Sequence, residues 1–331
     1  MARRPLLLAV PLLLVLGGCA PTDGGLDGTI VDQSDLEAAL TTTIARIDPI
    51  PGVEDVSTTF ELTGQATYQV TVSVTADTLE ETGAKAVAAA LSDGLGDPLF
   101  ADQQVFASVE ASGGTLDMSE FDLTGDELTA EVTYWYDVAE LLAAPVDMQL
   151  SPLASGYQRT LTAEALGDPI DWDALAAIVD SSAAEHSWSL PGLEAYGPLP
   201  DARVAALLRD LDTVLYPLDY GFTDQNGYSI ALSEGFVALS VSSLTLTGTA
   251  LADSPDWPAL LTASTVALSS GVDLSNISYL ASDTGAGGNV HVGECAEPIT
   301  PGEDDEALFA ALVASGVALP AGSGAGYCAP S

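Results

Sequence analysis

Two histidines, three cysteines and a large excess of carboxylates are the side chains through which this chain could do chemistry. His186 and His291 have neither a second histidine nor a cysteine pair at ligand spacing, so no zinc site assembles from them. His186, in Ala184-Glu185-His186, is expected near a helix end, where the macrodipole favours a cation. His291 alternates with Val290 and Val292, as an exposed strand residue does. The patterns G-x-S-x-G, H-E-x-x-H, S-x-x-K and a Walker loop are absent from the sequence. Carboxylates are so abundant that a glycosidase-like pair could be drawn almost anywhere, which singles out none. Asp122 to Glu127 and the group Asp23, Asp27 and Asp32 lack the alternating oxygen ligands of a calcium loop and read as turn and linker. The Gly285 to Gly288 run lacks the strand, helix and downstream acid of a dinucleotide fingerprint and reads as a hairpin or insertion loop. Tyr134-Trp135-Tyr136 is the aromatic cluster that invites a ligand: on a strand Trp135 faces away from its neighbours, so one or two rings face out unless the cluster packs into a core.

The N-terminus carries a more specific pattern. Arg3 and Arg4 precede Leu6 to Leu16, an apolar run of signal-peptide length and too short for the roughly 20 residues of a spanning helix. Leu16-Gly17-Gly18-Cys19 follows, and it resembles the lipobox of bacterial lipoproteins. The resemblance covers about the first 20 residues. It implies that Cys19 receives a diacylglycerol on its sulfur and that cleavage falls between Gly18 and Cys19, making Cys19 the first mature residue. Two or three acyl chains hold a protein durably on a bilayer, where one does not. An ordinary secretory signal with a chance cysteine, or twin-arginine export through Arg3-Arg4, are the competing readings of these residues.

If Cys19 is lipidated, Cys295 and Cys328 remain as one pair, and an oxidising compartment permits them to bridge. Closing that loop would stabilise the fold by roughly 3 to 4 kcal/mol on the chain-entropy model. The formal net charge is −41, with Lys85 the one lysine. Such a field repels nucleic acid and anionic membrane surfaces. The acids are scattered, which fits a solvated surface better than an acidic tail.

Along the chain, residues 19 to 33 read as a flexible tether. Ser34 opens a helix with Glu37 as its capping-box partner, and Leu36, Leu40, Ile44 and Ile47 share one face. Strands follow near Val56 to Leu62 and Tyr68 to Thr75. In the second, Val70, Val72 and Val74 share one side and Thr71, Ser73 and Thr75 the other, a half-buried sheet with one polar face. A helix from about Thr78 to Ser92, capped by Thr78 and Glu81, leads to strands near Val105 to Ala111 and Glu127 to Tyr136.

Thr160 to Ala176 aligns with Thr245 to Leu261 at an offset of 85 residues, with 10 of 17 positions identical. That similarity predicts an internal duplication in which a strand feeds a helix capped by Asp171 or Asp256 and anchored in the core by Trp172 or Trp257. Strands are expected next around Ser187 to Tyr196 and Asp273 to Ala281, then helices over Asp201 to Tyr216 and Asp304 to Ser315. The second copy carries an insertion, Ser282 to Gly302. Asn226-Gly227 predicts a hairpin joining Tyr220–Thr223 to Tyr228–Leu232.

These readings predict an α+β fold of tandem modules, antiparallel or mixed sheet covered by helices: a leader over 1–18, the tether over 19–33, an N-terminal module over 34–143 and repeat modules over 144–230 and 231–331. The expected function is a lipid-anchored, non-catalytic binding or assembly protein at the extracytoplasmic face of the bacterial cell membrane, or of an outer membrane where the host has one. Its partners would be the membrane, through Cys19, and an envelope protein or polysaccharide. No catalytic, cofactor or metal residue is expected, and no nucleic-acid partner. A carboxylate-dependent envelope hydrolase and a solute-binding lipoprotein of a transporter are the alternatives.

Overall fold

A computed structural model describes residues 31–329 apart from 64–66, 77–78, 112–113, 120–123, 154–155, 164–169, 179–184, 197–200, 218–226, 234–235, 245–250 and 282–285. Cys19 and its leader lie outside the described residues, as do Thr78, Asp122, Asn226 and Thr245 to Thr247.

After helix α1 (Gln33–Ile47), the chain alternates hairpins with helical crossovers. β1 (Asp55–Leu62) and β2 (Tyr68–Ala76) form the first hairpin and α2 (Glu81–Leu95) crosses to β3 (Gln104–Ala111) and β4 (Gly114–Ser119). α3 (Gly125–Leu142) leads to β5 (Asp147–Pro152) and β6 (Tyr157–Thr162), and α4 (Trp172–Ala177) to β7 (Glu185–Leu190) and β8 (Leu193–Tyr196). α5 (Ala202–Asp212) and the short β9 (Tyr216–Pro217) lead to β10 (Gly227–Ser233) and β11 (Phe236–Leu244), and α6 (Trp257–Ser269) to β12 (Asn276–Ala281) and β13 (Gly287–His291). α7 (Glu303–Ala314) and β14 (Gly324–Ala325) close the chain.

All these strands join one 14-stranded mixed sheet, in chain order from β1 to β14, with β9 set beside β10. Within each hairpin the pairing is antiparallel, across the crossover helices α2 to α6 it is parallel, and β14, after α7, pairs antiparallel with β13. Strand alternation puts one apolar row on one face: Val72, Ala107, Met118, Leu150 and their neighbours are buried in register. The helices cover that face and pack on one another, α1 on α2, α2 on α3, α4 on α5 and α5 on α6, so that one hydrophobic cluster runs from Leu36 to Leu312. This is the α+β class expected from the pattern. The sheet and core continue through 143/144, and 230/231 falls inside β10.

Each hairpin reverses the chain, while every crossover steps the same way over the same face. Successive crossovers therefore have opposite hand, α2, α4 and α6 sharing one and α3 and α5 the other. Right-handed units alone would have put successive helices on opposite faces. Trp172 and Trp257 both open crossover helices of the same hand, and both are buried as expected.

Several local expectations are corrected. Glu127–Tyr136 is not a strand but part of α3, because Thr124 and Glu127 form a reciprocal capping box and Leu128, Val132, Trp135, Val138 and Leu142 then fall on one buried stripe. α1 is capped by Asp32, whose side chain accepts from Ser34 N at 3.0 Å, and Glu37 bonds Gln33 instead. Glu80 occupies the N-cap position of α2. Ser187 to Tyr196 is two strands, β7 and β8, because Gly192 at φ +81° turns the chain at Pro191-Gly192. Of the hairpin expected from Asn226-Gly227, residues 220–223 and Asn226 lie outside the described residues, and among the described ones β10 pairs with β8, β9 and β11. The Gly287–His291 part of the expected insertion is β13, an integral strand of the sheet.

Candidate functional site

The face of the sheet opposite the helices is the largest feature that the core does not consume. Between β1 and β8 its side chains are hydroxyls, amides and carboxylates, with two aromatic rings among them, Phe106 beside Thr71 and the exposed Tyr196 beside Ser187. One row in continuous register runs Ser73, Ser108, Asp117, Gln149, Thr160 and Ser187. In the neighbouring row Glu110 lies between Thr75 and Thr115, and Asp147 stands beside Thr162. Carboxylates directly opposite one another would destabilise a strand pair, and here each faces a hydroxyl or an amide. Two of them are bonded across strands: Thr115 N donates to Asp147 Oδ1 at 2.9 Å and Ser189 Oγ to Glu194 Oε1 at 2.7 Å. Eight strands at their usual spacing span about 34 Å, and six residues along each about 20 Å. The face is thus about 700 Å2, close to one partner's share of a standard protein interface.

Toward β11–β13 the same face is covered by the C-terminal segment. Cys295 and Cys328 are bridged, with Cα atoms 5.9 Å apart, as expected for the pair. Asn276 on β12 holds the segment at both backbone groups of Cys328, donating to its oxygen at 2.8 Å and accepting from its nitrogen at 2.9 Å. Tyr327 packs edge-on against Phe236, and His291 Nε2 lies 3.1 Å from Gly322 O. His291 is therefore buried rather than exposed: it does lie on a strand facing away from the helices, but this flap covers it.

His186 is not at a helix end, because α4 stops at Ala177 and His186 lies in β7. It adjoins a polar cluster that no spacing in the sequence announces. Glu131 on α3 and Arg159 on β6 are fully buried, with Nε to Oε2 and Nη2 to Oε1 both at 2.6 Å. Tyr157 donates to Glu131 Oε1 at 2.5 Å, the Arg159 guanidinium lies 3.9 Å over the Tyr134 ring, and His186 Nδ1 is 3.3 Å from Nη1. The buried rings of the aromatic cluster serve this packing: Tyr134 meets Trp188 edge-on, and Trp135 Nε1 donates to Val146 O at 2.7 Å. Charges satisfied this completely and closed to water fix α3 on the sheet. They offer no entry to a substrate.

Asp212 ties α4, α5 and β10 together, accepting from Trp172 Nε1 at 2.9 Å and Tyr228 OH at 2.6 Å. Burial raises its pKa despite both hydrogen bonds. A shallow cavity of about 450 Å3 between α2 and α3 is edged by Glu81, Asp137 and Glu140. Glu81 is paired with Lys85 at 2.5 Å, while Asp137 and Glu140 stand in solvent. Burial, then the charge of Glu81, raises the pKa of Tyr136 at its wall, and that hydroxyl donates to Leu79 O at 2.6 Å. An open cavity with wetted carboxylates lacks the desolvated acid of a glycosidase pair.

Among the described residues no group of three or more His, Cys, Asp or Glu side chains could hold a metal ion, and no helix is long and apolar enough to cross a membrane. The chain matches no protein family, no curated protein and no solved structure.

Proposed function

We propose that the chain is a lipid-anchored lipoprotein of the bacterial cell envelope, held by Cys19, that works without catalysis and binds a partner through the bare face of its sheet. The observation that carries this reading is the one-sidedness of the fold. Eight consecutive strands, β1 to β8, keep a largely polar face of interface size on which none of the described helices packs. Polar side chains keep this face in water rather than under helices, and an open face of this size is also what a partner needs to dock. The anchor supplies the location and the residues between Cys19 and Val31 the reach. A rigid, hydroxyl- and carboxylate-rich plane suits an envelope protein or a hydrated polysaccharide, and its acidity selects against nucleic acid.

The test uses the chain from Cys19 onward, with and without Gln149→Arg and Ser108→Arg, two long cations placed mid-face where neither side chain enters the core. Immobilised chain is exposed to detergent-solubilised envelope proteins and to purified envelope polysaccharide, and retained material is quantified. Retention by the parent chain and its loss in the arginine variants, at unchanged Tm, supports the reading. Equal retention by the variants, or turnover of the polysaccharide, overturns it. The anchor is tested separately by mass spectrometry of the protein from its host, where an unmodified sulfur at Cys19 removes that part.

A further inference from the structure

The two ends of the sheet are finished differently. At one end β14 is only two residues long and is held by the disulfide-clamped flap. At the other, β1 runs for eight residues paired to β2 without a bulge or register shift, and among the described residues no strand lies on its outer side. It contains no proline and no lysine, the usual protections of an edge.

The backbone groups that this edge offers follow from the ladder. Thr63 N donates to Thr67 O, which makes 63 and 67 a hydrogen-bonded pair, and antiparallel pairs alternate. Residues 57, 59 and 61 therefore turn their N–H and C=O to β2, whereas Val56, Thr58, Phe60 and Leu62 turn theirs outward. The side chains of Val56, Thr58 and Phe60 lie on the helix face but stay only half-buried, while their partners Val74, Val72 and Val70 are fully buried. Leu62 is 62% exposed. The apolar row of the sheet thus continues into β1 and stops there incompletely covered. On the opposite face β1 carries Asp55, Ser57, Thr59 and Glu61.

We propose that β1 is a strand-addition site for an extended, cationic segment of a partner protein. Such a segment would bond the outward backbone groups of β1, lay apolar side chains beside Val56 and Phe60, and place lysine or arginine opposite Asp55 and Glu61. A second copy of this chain is the poorer occupant. Antiparallel self-pairing centred on Thr58 sets Asp55 against Glu61 twice, between bodies that each carry a formal charge of −41. The proposal is independent of the lipid anchor and uses the backbone edge of β1, sharing with the bare face only the carboxylates of Asp55 and Glu61.

The experiment uses the chain from Cys19 onward and two synthetic peptides, one alternating valine with lysine and one alternating valine with glutamate. Binding is measured by calorimetry to the parent chain, to Thr58→Pro and to the double variant Asp55→Lys with Glu61→Lys. Thr58→Pro deletes an outward N–H and leaves the β1–β2 ladder intact, and an unchanged Tm verifies this. If that variant unfolds, N-methylation of the peptide at the positions facing β1 serves in its place. The expected result is that the lysine peptide binds the parent chain and weakens by about tenfold or more when the edge is blocked. The charge-reversed variant should prefer the glutamate peptide. Failure of the lysine peptide to bind, or binding unaffected by the edge block, overturns the proposal. So does dimerisation of the parent chain that Thr58→Pro abolishes, which would give the edge to a second copy.

Discussion

Replacing Arg159 by methionine tests whether the Glu131–Arg159 pair is structural. The guanidinium supplies two of the three hydrogen bonds to the Glu131 carboxylate, at 2.6 Å each, and removing it leaves a fully buried carboxyl group facing only the Tyr157 hydroxyl. Breaking one side of such a pair costs about 3 to 5 kcal/mol, because the remaining charge keeps its desolvation penalty and loses its counter-charge. For a domain of this size, each kcal/mol moves Tm by roughly 2 to 4 °C, so a drop of roughly 10 °C is expected. Glu131→Leu combined with Arg159→Met fills the same space without charge and should recover most of the loss, since buried pairs and apolar replacements of similar volume differ little. The assay is a double-mutant cycle from urea unfolding with the disulfide intact. If Arg159→Met costs less than about 1 kcal/mol, or if the double variant is no better than the worse single one, the pair is not the enclosed linkage described above.

Burial raises the pKa of Asp212, so the folded chain holds a proton there that the unfolded chain has released, and stability falls as pH rises through that window. Asp212→Asn should flatten the slope of unfolding free energy against pH just above the ordinary carboxylate range; an unchanged slope refutes the assignment. Asp201 behaves oppositely. Bonds from the Val204 and Arg203 amides lower its pKa, so its cap is in force above its unfolded pKa and is lost as pH falls through the folded one. Asp201→Ala should cost about 1 kcal/mol at neutral pH and less in acid, read from urea midpoints. Reducing Cys295–Cys328 should lower stability by roughly 3 kcal/mol and speed hydrogen exchange at Asn276 and His291, while α1 to β4 keep their protection. Gly114 has φ +117°, and a Cβ there would come within 2.1 Å of Val146 O, so Gly114→Ala should break the β4–β5 junction, seen as lost soluble yield.

The alternation of apolar and hydroxyl residues in β2 and the 3.6-residue stripes of α1, α5 and α7 could be read from the sequence, because strand and helix faces are local properties of a chain half in contact with a core. α3 looks like a strand in the sequence because Thr133-Tyr134-Trp135-Tyr136 has strand-forming side chains. The decisive signal was Thr124 three residues before Glu127, hidden inside a stretch read as a turn. Glu131 was equally opaque: a carboxylate on the buried stripe looks like an error in the pattern until Arg159, on a strand beyond β5, is brought beside it. The wide bare face is the least local feature of all. Each strand shows one polar side, but whether helices cover that side depends on the hand of every crossover, which the periodicity of a single strand does not encode. With right-handed crossovers throughout, the same strands in the same order would have had helices on both faces, and the hydroxyl rows of β2 to β8 would have been buried without partners at several kcal/mol apiece. Those polar rows therefore oblige the helices to share one side, and this compositional constraint outweighs the usual preference in handedness.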